Sequence, residues 1–228
     1  MNHYAKPAAA ECLGTFLIVF TGSGAIMVDV ITGGALGQVG VSLVFGLAVA
    51  MMIILFGPIS GGHFNPAISL VMLAVRGLST KRLLIYTAAQ LIGGLLAAYF
   101  LMTILGEIAQ IGTPVPNLEI ATVADISSTV LIIAIEFVFA AMFMAVVLAV
   151  SKGTQLVGFM AAISVGGAVA LVAFVGGPVT GGALNPARYF GTAMISGTFD
   201  YILTYLVAII VGAFAGALLF RLVVDQSD

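Results

Sequence analysis

The chain has 228 residues, of which 62% are hydrophobic and 7% are charged. Soluble globular domains carry about 25% charged residues, so this composition excludes a water-soluble fold. The net charge of −2 and the total of seven lysines and arginines exclude a phosphate-neutralising surface, and we expect no nucleic-acid partner.

Six long apolar segments follow one another along the chain. A helix needs about 20 predominantly apolar residues to cross about 30 Å of hydrocarbon, and each segment is long enough to do so with some tilt. The segments cover residues 8–28, 39–56, 83–105, 127–150, 157–175 and 201–224. They predict an all-α membrane protein with six transmembrane helices in a lipid bilayer.

Two further apolar stretches, residues 57–75 and 176–195, are too short to cross and open with Gly and Pro. Each contains a Gly-Gly-X-X-Asn-Pro-Ala sequence, and the two asparagines are 120 residues apart. Because three spans separate the copies, they enter the membrane from opposite sides, which is an inverted repeat. We expect one channel domain, residues 1–228, with repeat halves at about 8–106 and 127–224.

The repeated motifs consist of Asn65, Pro66 and Ala67 in the first half and of Asn185, Pro186 and Ala187 in the second. Asparagine caps free backbone N–H groups, and proline suits the first position of a helix, so a helix is expected to start at each motif. From Pro66 to Val75 it would have about 10 residues and a length of about 15 Å, half of the hydrocarbon thickness. The sequence therefore predicts two re-entrant half-helices that meet at mid-membrane.

The irregular backbone before each asparagine is tolerated at membrane depth only inside protein or beside a water-filled path. If the side-chain oxygen of Asn65 or Asn185 caps a helix, its NH₂ group can donate into that path. Each helix N-terminus carries about +0.5 charge, so a facing pair repels cations and orients water oxygens. A single Asn-Pro pair is alternatively explained as an ordinary turn. Two copies at matching places of an inverted repeat are poorly explained in this way.

The basic residues predict the topology, because cytoplasmic loops are enriched in Lys and Arg. With both termini in the cytoplasm, one side receives Lys6, Arg76, Lys81, Arg82, Lys152 and Arg221. Arg188 is the exception and lies three residues after Asn185. An arginine within the membrane costs at least about 2.5 kcal/mol unless it faces water or a partner. We expect Arg188 to face the pore; a buried ion pair is the alternative.

Glu11 and Glu136 lie near the start of the first helix in each half. Intramembrane carboxylates can form a proton or ion relay, which would suit a coupled transporter. They can also accept hydrogen bonds from the unsatisfied backbone that leads into each half-helix, and we favour this structural role. His63 could present its ring or its carbonyl oxygen to the pore. Without Cys or carboxylates at ligand spacing, we expect no metal site and no cofactor.

The chain resembles the aquaporin and glycerol facilitator family, the major intrinsic proteins. The paired Asn-Pro-Ala motifs, the Ala-Glu and Gly-Thr-Phe of the first span and the Asn-Pro-Ala-Arg-Tyr-Phe-Gly run carry the resemblance, which covers essentially the whole length. It implies a homotetramer with one pore per subunit in the plasma or inner membrane. No usable constellation of catalytic residues occurs, and we do not expect an enzyme.

The resemblance also implies an outer selectivity filter, which falls on Phe45, Ala173, Gly182 and Arg188. Strict water channels of the family have histidine where this chain has Ala173, and glycerol facilitators commonly have Trp where it has Phe45 and a second aromatic residue where it has Gly182. Pore selectivity follows diameter and the donors and acceptors of the wall. We therefore expect a passive channel for water that also passes small neutral solutes such as glycerol, urea or ammonia. An ion-coupled secondary transporter is the alternative.

Overall fold

The computed structural model describes residues 4–224 of the chain. In this part it has the helices α1 (Ala5–Ile31), α2 (Gly37–Ser60), α3 (Pro66–Arg76), α4 (Thr80–Leu105), α5 (Leu118–Val123), α6 (Ser128–Val150), α7 (Phe159–Thr180), α8 (Pro186–Ser196) and α9 (Ile202–Leu219). A π-helical turn, Phe220–Val224, continues α9. Six helices are long and apolar enough to cross a membrane: α1, α2, α4, α6, α7 and α9. The predicted fold class is confirmed, with α3 and α8 as the two half-helices.

The ends of α2 and α7 differ from the sequence-based prediction, because both helices continue past the predicted boundary and include Pro58 and Pro178. A proline removes one backbone hydrogen bond and disfavours continuation of the helix, and each helix ends two residues after its proline. The helices end at Gly61 and Gly181, which take the left-handed conformation with φ of 98° and 78°. Glycine adopts this conformation without a Cβ clash, so the chain turns sharply toward each half-helix.

The two halves of the fold pack in matching ways. The helix α1 packs against α4 in the first half, as α6 packs against α9 in the second, and α2 and α7 pack against each other across the halves. Each half-helix also contacts the last span of the opposite half, α3 on α9 and α8 on α4. The half-helices are therefore held by spans from both halves of the chain.

The contact between α2 and α7 depends on one glycine from each helix. A Cβ atom built on Gly46 would lie 2.5 Å from the carbonyl oxygen of Gly166, and one built on Gly166 would lie 2.6 Å from that of Gly46. No side chain fits at these distances, so the backbones approach as closely as small residues allow. This close approach fixes the position of Phe45 relative to α7, because Phe45 precedes Gly46 on α2.

Candidate functional site

Each half-helix begins at the asparagine of its motif. The Oδ1 atom of Asn65 accepts a hydrogen bond from the Ala67 backbone N–H at 2.9 Å, and Asn185 accepts from Ala187 at the same distance. The proline that follows each asparagine occupies the first helical position. Side-chain capping of this kind satisfies one of the free N–H groups at a helix start. Both half-helices therefore begin with a capped N-terminus.

The amide nitrogens of the two asparagines bind the opposite half of the chain. Asn65 Nδ2 donates to the carbonyl oxygen of Leu184 at 3.1 Å, and Asn185 Nδ2 donates to that of Phe64 at 2.9 Å. The sequence-based hypothesis was that this NH₂ group is left to donate into the aqueous path. The structure instead uses one of its two hydrogens to join the halves, and the second hydrogen of each amide remains available.

Glu11 is completely buried and accepts four hydrogen bonds. Its donors include the backbone N–H groups of His63 at 3.0 Å and of Phe64 at 2.6 Å. The Ser60 hydroxyl and the Gln90 amide supply the other two, at 2.6 Å and 2.7 Å. Because a buried carboxylate is stable only when its oxygens are paired, these donors hold Glu11 beside the segment that leads into α3.

Glu136 is equally buried and has the corresponding place in the second half. It accepts from the Thr180 hydroxyl at 2.7 Å and from the backbone N–H groups of Ala183 and Leu184 at 2.9 Å and 3.1 Å. These are the groups that lack helical partners between α7 and α8. Both carboxylates thus satisfy irregular backbone at membrane depth, where water cannot do so.

His63 links the segment before α3 to the connection between α6 and α7. Its Nε2 atom lies 2.8 Å from the carbonyl oxygen of Thr154, which can only accept, so Nε2 carries a hydrogen. Its Nδ1 atom lies 3.0 Å from the Ser69 hydroxyl, which in turn lies 3.1 Å from the Gln90 amide nitrogen. Since Gln90 also donates to Glu11, a polar chain runs from Glu11 to Thr154.

The guanidinium group of Arg188 is only partly satisfied. Its Nη2 atom donates to the carbonyl oxygens of Gly112 and Gly181, each at 3.4 Å. Its Nε and Nη1 atoms are buried and have no partner among the described residues. The guanidinium carbon lies 4.8 Å from the centre of the Phe45 ring, a cation–π contact. The ion pair considered from the sequence is absent from the described residues, and Nε and Nη1 are enclosed donors without a partner.

Two cavities inside the bundle adjoin each other, because they share lining residues. The inner cavity has a volume of about 50 Å³, and the outer cavity has a volume of about 600 Å³. A cavity needs about 10–15 Å³ to hold one water molecule, so the inner cavity accommodates a short file of waters. Within the described residues, those that border both cavities are Phe45, Ala173, Gly182 and Arg188. These four residues form the boundary between the two cavities.

The wall of the inner cavity combines the two asparagines with apolar side chains. Asn65, Asn185 and His63 border it, as do aliphatic residues of α1, α2 and α7, so few polar groups face the space. Leu156 also lines it, although this residue belongs to the connection between α6 and α7. The Leu156 backbone N–H donates to the Gly61 carbonyl oxygen at 2.7 Å, which holds the connection against the segment before α3. No motif in the sequence predicts this contact.

Residues 4–224 contain no group of three or more His, Cys, Asp or Glu side chains placed to hold a metal ion. The polar groups at the centre are instead amides, backbone groups and one guanidinium. Together with the six spans, these features define a multi-pass membrane protein of inverted-repeat architecture, in which two half-helices face each other at their N-termini beside two adjoining cavities. The sequence profile of the major intrinsic proteins matches residues 2–220, and the chain belongs to this family.

Similar proteins include plant aquaporins and a parasite channel. The chain is 34% identical to aquaporin NIP1-3 of Oryza sativa subsp. japonica over 165 residues, 72% of this chain and 54% of the relative. It is 33% identical to aquaporin NIP6-1 of Arabidopsis thaliana over 161 residues, 71% and 50% of the two chains. The match spans about half the length of these relatives. The aquaglyceroporin from Plasmodium falciparum has a similar solved structure, with a TM-score of 0.83, 25% identity and 97% coverage of each chain.

Proposed function

We propose that the protein is a passive channel for water that also passes small neutral solutes such as glycerol, urea and ammonia. The observation that carries the proposal is the boundary between the two cavities, which consists of Phe45, Ala173, Gly182 and Arg188. A solute that moves between the outer and the inner cavity has to pass these four residues. They are the selectivity filter of the proposed channel.

The filter combines an apolar side with a polar side. Phe45 and Ala173 present ring and methyl carbons, whereas Arg188 has two buried donors without a partner, Nε and Nη1. A polyol can place its carbon chain against the first pair and its hydroxyl oxygens against Arg188. Leaving a hydroxyl unpaired costs a few kcal/mol, so this arrangement favours solutes that satisfy both sides. Two small residues, Ala173 and Gly182, leave the opening wider than a histidine would.

Water and protons are separated at the inner cavity. The N-termini of α3 and α8 meet there, and each contributes about +0.5 charge. The remaining amide hydrogens of Asn65 and Asn185 bind a passing water through its oxygen, so its hydrogens point away on both sides. A proton cannot hop along a file of waters that is oriented in this way. Arg188 adds a full positive charge at the outer end and repels cations.

An ion-coupled transporter is the second candidate that the sequence left open, and nothing favours it. Such a mechanism needs a carboxylate that can exchange a proton or an ion. Glu11 and Glu136 already accept four and three hydrogen bonds from the backbone and neighbouring side chains. Members of the major intrinsic protein family are channels, not enzymes, and we propose that this chain is likewise a channel.

We also propose a domain organisation, a membrane location and an oligomeric state for the channel. Residues 1–228 form one domain of two repeat halves, about 8–106 and 127–224; residues 1–3 and 225–228 lie outside the described part. The side on which α1 begins and α9 ends carries the basic residues of the connecting segments, which supports cytoplasmic termini in a plasma or inner membrane. The family resemblance supports a homotetramer with one pore per subunit. The molecular mass of the purified protein tests this oligomeric state.

Stopped-flow measurements on proteoliposomes test the proposed function. Vesicles that contain the protein should shrink faster than empty vesicles in an osmotic gradient and should re-swell when glycerol is the solute. Neither rate should change when sodium or proton gradients are removed. If water and glycerol fluxes required such a gradient, the chain would be a coupled transporter, and if neither flux exceeded that of empty vesicles, the channel proposal would be wrong.

A further inference from the structure

Gln38 stands at the outer side of the filter. It is the second residue of α2 and precedes Phe45 by seven residues, or two helical turns, so both side chains project from the same face of the helix. Gln38 lines the outer cavity together with the four filter residues. A solute that enters from this cavity therefore encounters Gln38 before it reaches the ring of Phe45.

The hydrogen bonds of Gln38 fix the orientation of its amide. One end of the amide lies 2.6 Å from the carbonyl oxygen of Ala173, a filter residue, and 3.3 Å from the Ser42 hydroxyl. Because a carbonyl oxygen only accepts, this end is the nitrogen, Nε2. Both of its hydrogens are directed at the protein. The oxygen, Oε1, receives no hydrogen bond from the described residues and remains an acceptor on the wall of the outer cavity.

Three backbone carbonyl oxygens near the filter are already engaged. The Ala173 carbonyl oxygen accepts from Gln38, and those of Gly112 and Gly181 accept from Arg188. Arg188, in contrast, contributes two buried donors without partners. Arg188 and Gln38 both line the outer cavity, so the entrance combines a guanidinium group with a free acceptor oxygen.

Two other side chains with acceptor oxygens, Glu107 and Gln110, also line the outer cavity. They belong to the segment between α4 and α5, and their side chains make no hydrogen bond to the four filter residues in the described part of the chain. Both side chains are exposed, as is that of Gln38. Gln38 differs from them because its amide is held directly against Ala173, so its Oε1 atom has a fixed place at the filter.

We propose that Gln38 is a specificity-determining residue of the filter. Its Oε1 atom accepts a hydrogen bond from an O–H or N–H group of a solute whose oxygen is bound by Arg188. The solutes that fit are small neutral molecules with both donors and acceptors, such as polyols and urea. The inference rests on the proposed channel function and names a further residue that decides which solutes pass.

The competing explanation is that Gln38 only tethers α2 to α7 and does not bind a solute. Two substitutions distinguish these explanations. Gln38→Leu has a similar size but removes both the tether and the acceptor. Gln38→Glu keeps an acceptor oxygen and loses the NH₂ group that binds Ala173. If the acceptor decides solute passage, the two variants differ; if only the tether matters, they behave alike. Gln110→Leu is the matched control, because it replaces the same residue type in the same cavity.

The experiment compares glycerol and water permeability of each full-length variant in proteoliposomes. Loss of one hydrogen bond at the filter should lower the glycerol-to-water permeability ratio of Gln38→Leu about fivefold, whereas Gln38→Glu, which keeps an acceptor oxygen without its anchor on Ala173, should lower it only about twofold. Gln110→Leu should leave the ratio unchanged. An equal fall for both Gln38 variants, or a fall for neither, overturns the inference and leaves the channel in place. An unmodified channel that passes water but neither glycerol nor urea also overturns the inference alone, and a protein without water flux overturns both.

Discussion

Asn65 reaches across the repeat and donates to the carbonyl oxygen of Leu184, 3.1 Å away. Asn185, which follows Leu184, makes the corresponding bond in the other direction and donates to the carbonyl oxygen of Phe64, 2.9 Å away. One side chain therefore caps its own half-helix and binds the backbone that leads into the other. The start of each half-helix depends on the position of its partner, and substitutions at this point affect both halves.

Asn65→Ala should destabilise the protein more than the loss of an ordinary helix cap. It removes the cap, worth about 0.5–2 kcal/mol, and the bond to Leu184, worth about 1 kcal/mol. Thermal unfolding in detergent measures the effect. The control is Ser79→Ala, which removes the cap of α4, a single bond at an exposed position. Equal losses of stability in the two variants would show that the bond between the halves contributes nothing.

Glu11→Gln should weaken folding and leave solute flux independent of sodium. Glutamine places an NH₂ group among donors such as the backbone N–H groups of His63 and Phe64, so at least one buried bond is lost and replaced by repulsion. Bonds to a charged group are worth about 1.5–3 kcal/mol each, and the loss of stability should have this size. Unfolding and flux are measured on the same preparation. A sodium-dependent flux that disappears in the variant would favour the transporter instead.

The unmodified protein should pass water without passing protons. The facing N-termini of α3 and α8 and the charge of Arg188 repel cations along the whole path. A pH-sensitive dye trapped in proteoliposomes reports proton entry during osmotic water flow, and the rate should equal that of empty vesicles. A proton flux that rises with the amount of protein would contradict the proposed arrangement of the inner cavity.

Ala173→His should reduce glycerol flux well before it reduces water flux. The imidazole ring fills space between the outer and inner cavities and replaces an apolar contact surface with a polar one. Stopped-flow light scattering gives both permeabilities. Phe174→His is the control, because Phe174 neighbours Ala173 on α7 but is 47% exposed and borders neither cavity. A similar loss of glycerol flux in both variants would argue against a filter at Ala173.

Gly22→Ala should disturb the filter, although Gly22 is not one of its four residues. A Cβ atom at this position on α1 would lie 2.1 Å from the ring of Phe45, which is held between α1 and Arg188, so the ring has to move. Overpacking of this kind costs about 1–3 kcal/mol, and the displaced ring should lower glycerol permeability. Gly167→Ala is the control, because a Cβ atom there has no neighbour within 4 Å. Unchanged flux and stability in Gly22→Ala would mean that Phe45 is not fixed by α1.

The fold and the half-helices were predictable because their signals are local. The length of each apolar segment determines a span, and Asn-Pro determines a helix start, so the predicted segment from Pro66 to Val75 ends one residue before the helix does. The inverted repeat then fixes how the two halves face each other. These conclusions need no knowledge of which side chains meet.

The contacts that complete the site come from residues far apart in the sequence. Gln38 binds Ala173 across 135 residues, and Arg188 binds the carbonyl oxygen of Gly112 across 76 residues. Leu156 lines the inner cavity, although it belongs to a connecting segment that contains no recognisable motif. Single polar residues and backbone carbonyls carry no periodic pattern, so only the packed structure identifies their partners.

The bonds between the half-helices also bear on how the chain is synthesised. They join residues that are 119 and 121 positions apart. A ribosome that adds about 5–20 residues per second needs roughly 6–24 s to cover this distance. During this interval the amide of Asn65 and the carbonyl group of Phe64 are without the partners that they have in the finished protein. The bonds at the middle of the membrane domain can therefore form only after Asn185 has been synthesised, and a ribosome that stalls before this residue leaves a first re-entrant segment without its partner.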